Sequence, residues 1–103
     1  MCIRDRTKST LYTLSNHIAH HYAEYGIRSN YIVMGWTNTE GEIELRAKEG
    51  ISEDNLKKKA VQNIPMGRML SPIDPLPAVM HFISDESAMT TGSLIRITGG
   101  QYI

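Results

Sequence analysis

The residues best placed to do chemistry lie in the stretch Gly35-Trp36-Thr37-Asn38-Thr39, which follows the apolar run Tyr31-Ile32-Val33-Met34. That run reads as a buried strand, because a parallel strand covered on both faces is apolar without alternation. Gly35 breaks it, and Trp36 to Thr39 then offers an aromatic ring and two hydroxyls at the strand's carboxyl end. In open α/β sheets, ligands bind in the crevice beyond the carboxyl ends of the strands. The best candidate for chemistry therefore lies between Gly35 and Thr39.

Upstream, Leu11, Leu14, Ile18, Tyr22 and Tyr25 recur at intervals of three and four, the period of a helix with one apolar stripe facing a sheet. Tyr12, Ser15, Ala19 and Ala23 form a second surface of mostly smaller residues. Gly26 suits the left-handed position that ends such a helix. His17, His20, His21 and Glu24 raise a metal reading, since histidines four apart face one way. They fall mainly on the polar side of the stripe, and a closed site needs about four ligands, so no metal is assigned.

Downstream, residues 40–64 are polar and helical in two pieces. The first covers about 42–49 and stops at Gly50; the second has Ser52 as N-cap and a thin stripe of Leu56, Ala60 and Ile64. Lys57 to Lys59 reads as a solvated face. A helix from 75 to 84 follows. Placing Asp74 as its N-cap puts Pro75 at the first helical position and Pro77 at the third, where neither loses an intrahelical bond. Leu76, Val79, Met80 and Ile83 then form its buried stripe. Ser93 to Thr98 is a second strand, closed by Gly99-Gly100. A strand–helix–strand crossover makes the two strands parallel. Two strands alone do not make a stable sheet, so the fold read here is the end of a larger α/β domain.

The segments Lys8-Ser-Thr-Leu-Tyr-Thr-Leu, Ala23-Glu-Tyr-Gly-Ile-Arg-Ser-Asn30 and Met34-Gly-Trp-Thr-Asn-Thr39, in that order, resemble the carboxyl-terminal part of the short-chain dehydrogenase/reductase family. Pro65-Met-Gly-Arg-Met69, Ser71-Pro-Ile-Asp74, Phe82-Ile-Ser-Asp85 and Thr91-Gly92 with Gly99-Gly100 are similar to its closing motifs. The resemblance implies the last portion of a doubly wound, Rossmann-like parallel sheet with flanking helices, left incomplete over residues 7–103. Residues 40–64 are then the insertion that covers the substrate. It implies an oxidoreductase moving a hydride between NAD or NADP and a small alcohol or carbonyl compound. Lys8 would hold the cofactor ribose and lower the pKa of a neighbouring phenol. Gly35 would pass close to the nicotinamide ring, the Thr37 backbone would meet the carboxamide, and Thr39 would bond the carboxamide or the phosphate end. Trp36 reads as a packing residue.

Residues 1–6 match nothing in this pattern. Arg4 stands where the family has its tyrosine, and an arginine stays protonated at any working pH. It is read as part of a truncation scar rather than as a true loss of the phenol. With the glycine-rich phosphate loop and the active-site serine outside the chain, the 103 residues are expected to be inactive alone. The helix over 7–25 is expected to pair with a second copy, in a dimer or tetramer of the complete enzyme. The competing reading is a stand-alone, non-catalytic interaction module pairing through that helix.

Bulk properties allow at most one domain with a modest core. Eleven basic and eleven acidic residues cancel, giving no field to attract nucleic acid or an anionic membrane. The single Cys2 excludes an internal disulfide. No run nears the roughly 20 apolar residues of a membrane span, and no secretory signal is visible, so a cytoplasmic location is expected.

Overall fold

A computed structural model describes residues 3–101, with side chains from residue 6 onward. The element order is α1 (Ile3–His21), a short 3-10 turn (Ala23–Tyr25), β1 (Tyr31–Met34), α2 (Glu40–Lys48), α3 (Glu53–Asn63), α4 (Leu76–Ile83), a second 3-10 turn (Asp85–Ser87) and β2 (Leu94–Ile97). Met1, Cys2 and the Arg4 side chain lie outside what is described. The backbone helix already runs from Ile3, without a break where the non-matching segment was expected to end.

β1 and β2 pair in a two-stranded sheet. Tyr31 N–H donates to Ser93 C=O (2.9 Å) and Gly35 N–H to Ile97 C=O (2.8 Å), so residue numbers rise together and the strands are parallel, as the crossover required. Contacts divide the chain into two compact units: one contains the chain up to Ile32 with Ala78–Ile95, the other Val33–Pro77 with Arg96 onward.

In the first unit, α1 ends through the 3-10 turn at Gly26, which takes φ 76° and donates its N–H to Ala23 C=O. The face that packs is not the expected one. Leu11, Leu14, Tyr22 and Tyr25 are exposed, whereas Ala19 is 2 % exposed and lies against Gly92. Ser15 and Ser29 share a 2.9 Å hydrogen bond, and the Tyr12 ring meets Tyr31 edge-on at 5.1 Å. Tyr12, Ser15 and Ala19 recur at three and four, so the period was right and the contacting stripe was the neighbouring one. Small residues win because they let two backbones approach closely. Arg28 binds the loop before β2, donating to Ser87 C=O (2.8 Å) and Ser87 Oγ (3.0 Å). Asn30 bridges the same loop, donating to Thr90 C=O and accepting from Ser93 N–H, both at 3.1 Å.

The second unit contains a continuous core. Leu56, Ala60, Ile64 and Met69 are buried, with Trp36, Ile43 and Ile51 packed on them. The stripe read for α3 is therefore its buried face, and Ser52 caps it, accepting from Asn55 N–H at 3.3 Å.

α4 departs from expectation twice. It starts at Leu76, and the Asp74 carboxylate turns back to accept from Ser71 N–H (2.6 Å) and from both terminal nitrogens of Arg68 (2.8 and 3.1 Å). A charge-assisted, two-pronged pair outcompetes the neutral N–H groups of a helix start. The stripe Leu76, Val79, Met80 and Ile83 is exposed rather than buried, at 53, 39, 54 and 66 %. A two-stranded sheet does not supply the area to cover it.

Candidate functional site

Gly35, Thr37 and Thr39 share one loop of the second unit. Gly35 must be glycine for a local reason: a Cβ there would sit 3.0 Å from Thr98 Cα and 3.3 Å from its carbonyl oxygen. The space that its missing side chain leaves is taken by the end of β2. Beyond it, Leu70 N–H donates to Trp36 C=O (2.8 Å) and Asn38 N–H to Leu70 C=O (2.7 Å), a parallel bridge centred on Thr37. In such a bridge the central residue's own N–H and C=O point to the opposite edge. Thr37 therefore keeps its peptide groups outside the ladder, while its hydroxyl donates to Gly35 C=O at 3.0 Å.

Thr39 is the N-cap of α2. Its backbone is extended (φ −117°, ψ 159°) and its Oγ1 accepts from Glu42 N–H at 3.1 Å. One lone pair is committed to the helix, and the O–H proton remains for donation outward. The helix starts at Glu40 rather than at residue 42 because this cap fixes it.

Trp36 is a packing residue, as expected, and also a hydrogen-bond donor. Its Nε1–H donates to Glu42 Oε1 at 2.7 Å, and the Arg46 guanidinium lies over the indole at 5.8 Å from the ring centroid. Arg46 Nε donates to Glu42 (2.8 Å) and Nη1 to Glu49 (2.9 Å). Both carboxylates raise the Arg46 pKa, first through the hydrogen bond to Glu42. This network was missed, although Glu42 and Arg46, four apart with the acid first, are a favourable helical pair. A cavity of about 300 Å³ opens beside it, lined by Trp36, Arg46, Ile51, Leu56, Lys59 and Gln101.

Lys8 belongs to the first unit. It is exposed on α1, and its backbone carbonyl accepts from the Tyr31 phenol at 3.2 Å. On the same helix the His17 and His21 rings stack at 4.1 Å. Among the described residues no group of three or more His, Cys, Asp or Glu side chains is placed to hold a metal ion.

A parallel strand pair with its connecting helices, and a hydroxyl-bearing loop at the carboxyl end of β1, defines part of a doubly wound α/β domain. The family described as enoyl-(acyl carrier protein) reductase matches residues 4–101. An uncharacterized oxidoreductase of Thermotoga maritima is 34 % identical over 99 residues, covering 96 % of this chain and 39 % of that protein. A short-chain dehydrogenase family protein from Francisella tularensis superposes with a TM-score of 0.81 at 31 % identity, over 90 % of this chain and 40 % of that one. The NADPH-bound short-chain oxidoreductase of Pseudomonas aeruginosa, with an atypical catalytic center, gives 0.77 at 29 % identity, over 91 % and 36 %. The chain belongs to the short-chain dehydrogenase/reductase family, a family of oxidoreductases that use a nicotinamide cofactor. It spans about two fifths of the length of the relatives it matches. No helix among the described residues is long and apolar enough to cross a membrane.

Proposed function

We propose that this chain supplies one part of a cytoplasmic, NAD- or NADP-dependent enzyme that interconverts a small alcohol and its carbonyl form. The observation that carries the reading is the loop leaving β1. Thr37 holds its own N–H and C=O outside the ladder, and Thr39 retains a hydroxyl proton after capping α2. These donors and this acceptor fit the carboxamide of a nicotinamide. Lys8 would hold the ribose hydroxyls, and its charge would keep an adjacent phenol acidic. The cofactor supplies the hydride; the protein positions it and handles the proton. Residues 40–64, which fold as α2 and α3, would cover the substrate.

The 103 residues span about two fifths of the length of their relatives, and by themselves are expected to show no turnover. The exposed stripe Leu11, Leu14, Tyr22 and Tyr25 on α1 supports pairing with a second copy in the complete enzyme. The same stripe is the one observation favouring the second reading, a non-catalytic module that docks through α1.

The experiment joins the upstream part of the Thermotoga maritima relative to residue 7 onward, with a tyrosine at the junction position four before Lys8. Oxidation of a reduced nicotinamide with a panel of small carbonyl compounds is then followed. Turnover above the unjoined chain is expected; its absence in a folded, joined protein would contradict the enzyme reading and leave the module.

A further inference from the structure

The proposed nicotinamide contacts leave unused a pair of histidines at the end of α1. His17 and His21 stand four apart, and residues at that spacing are neighbours on one helix face. It is not the face that packs: Tyr12, Ser15 and Ala19 meet the rest of the unit, whereas both histidines are exposed. The two rings lie side by side, with centroids 4.1 Å apart and planes 32° from parallel. Among the described residues neither ring has a hydrogen-bond or ion-pair partner. A neutral imidazole carries one lone-pair nitrogen, so the pair presents two adjacent, uncommitted nitrogen donors.

We propose that His17 and His21 chelate one divalent late transition ion, of the class of copper, nickel and zinc. Imidazole suits these ions, and histidines four apart are the arrangement by which a helix gives two ligands to one zinc. Metal–nitrogen bonds of about 2.0–2.1 Å set the two bound nitrogens about 3 Å apart. Rings 4.1 Å apart reach that span by turning about their Cβ–Cγ bonds, a soft torsion, with the backbone unmoved. Position favours a cation as well, because His21 is the last residue of α1, at the negative end of the helix dipole. A closed site would need about four ligands; this one is open. Its remaining positions are left to water, on a side where a groove of about 480 Å³ is lined by Ser9, Thr10, Thr13, Leu14 and His17. The proposal does not depend on the oxidoreductase reading.

The 103-residue chain, without any tag and with Cys2→Ser to remove the thiol, is titrated calorimetrically with nickel chloride. Copper(II), zinc and magnesium salts follow. One saturable site per chain is expected, tightest for copper and absent for magnesium, which prefers oxygen ligands. His20→Ala should leave the nickel affinity unchanged. His17→Ala and His21→Ala are then each made in the His20→Ala chain, so that no other helix histidine can stand in. Each should cost at least the roughly 10–100-fold that loss of a ligand's outer-shell partner costs. The variant lacking both should be little weaker than either, because a single imidazole holds the ion poorly whichever one remains.

Both side chains are exposed, so without metal these variants should keep the parent's denaturation midpoint. With nickel, the parent's midpoint should rise with ion concentration and the single variants' should not. A parent that binds nickel no better than the variant lacking both histidines overturns the proposal. So do small, independent losses in the single variants, the signature of separate surface imidazoles, and so does loss of the site with His20→Ala alone. No nicotinamide is present in any arm, so failure of this site and failure of the enzyme reading are separate results.

Discussion

Thr39 is the position where the structure changes what a substitution should do. Its Oγ1 accepts from Glu42 N–H at 3.1 Å, so the hydroxyl has a folding role beside the binding role proposed for it. Replacing an N-cap threonine by alanine costs about 0.5–2 kcal/mol, whereas glycine at the same place costs only a few tenths. Removing the outward hydroxyl donor costs about 0.5–1.5 kcal/mol of cofactor binding, the value of one neutral hydrogen bond. The three substitutions therefore separate. Thr39→Ala should lose stability and affinity, Thr39→Gly mainly affinity, and Thr39→Ser neither. Stability is read from urea denaturation followed by Trp36 fluorescence, and affinity from nicotinamide titration of the joined protein. A Thr39→Gly protein that binds cofactor as tightly as the parent would refute the outward hydrogen bond. A Thr39→Ala protein with an unchanged denaturation midpoint would refute the cap.

Two further outcomes test the frame around this loop. Gly35→Ala forces a Cβ to within 3.0 Å of Thr98 backbone, so overpacking of about 1–3 kcal/mol is expected in the same denaturation assay. The Asp74 carboxyl lies below its ordinary 3.8, at about 2, chiefly through the Arg68 hydrogen bond and then through Ser71 N–H. Because the folded value is the lower one, the stabilisation is fully present above about pH 4. It is lost as pH falls toward about 2, and Asp74→Asn should remove that part of the acid dependence.

Much of this architecture was legible because local chemistry dictates it. Gly26 and Ser52 end and start helices by satisfying specific orphan backbone groups, and the stripe Leu56, Ala60, Ile64 is the core face of α3. The parallel pairing followed from the crossover. The failures share a different cause. Choosing between the two stripes of α1 requires knowing how closely the opposing backbone approaches, and Gly92 against Ala19 is a long-range contact. The α4 stripe reads as buried from its residue types, but exposure depends on what covers it. Asp74 has the right type for an N-cap and is captured by Arg68, six residues earlier. Thr39 was read as a candidate ligand contact and not as a cap, because the first turn of α2, with Glu40 and Gly41, carries no apolar period. Of the candidate site, the loop residues were legible and the Trp36, Glu42 and Arg46 network was not, since only folding places the indole over the helix.

The most direct test of the proposed nicotinamide site is Lys8→Ala in the joined protein, with tyrosine at position 4 in both parent and variant (Arg4→Tyr relative to this chain). Lys8 is exposed on α1, so the substitution should leave the denaturation midpoint nearly unchanged. A positive charge beside a phenol favours its anion and lowers its pKa; removing that charge raises it. Turnover should therefore fall, and the basic limb of the pH profile should move to higher pH. If Lys8→Ala left both turnover and its pH dependence as in the parent, the proposed role of Lys8 would be wrong, and membership of the family would speak for the fold alone.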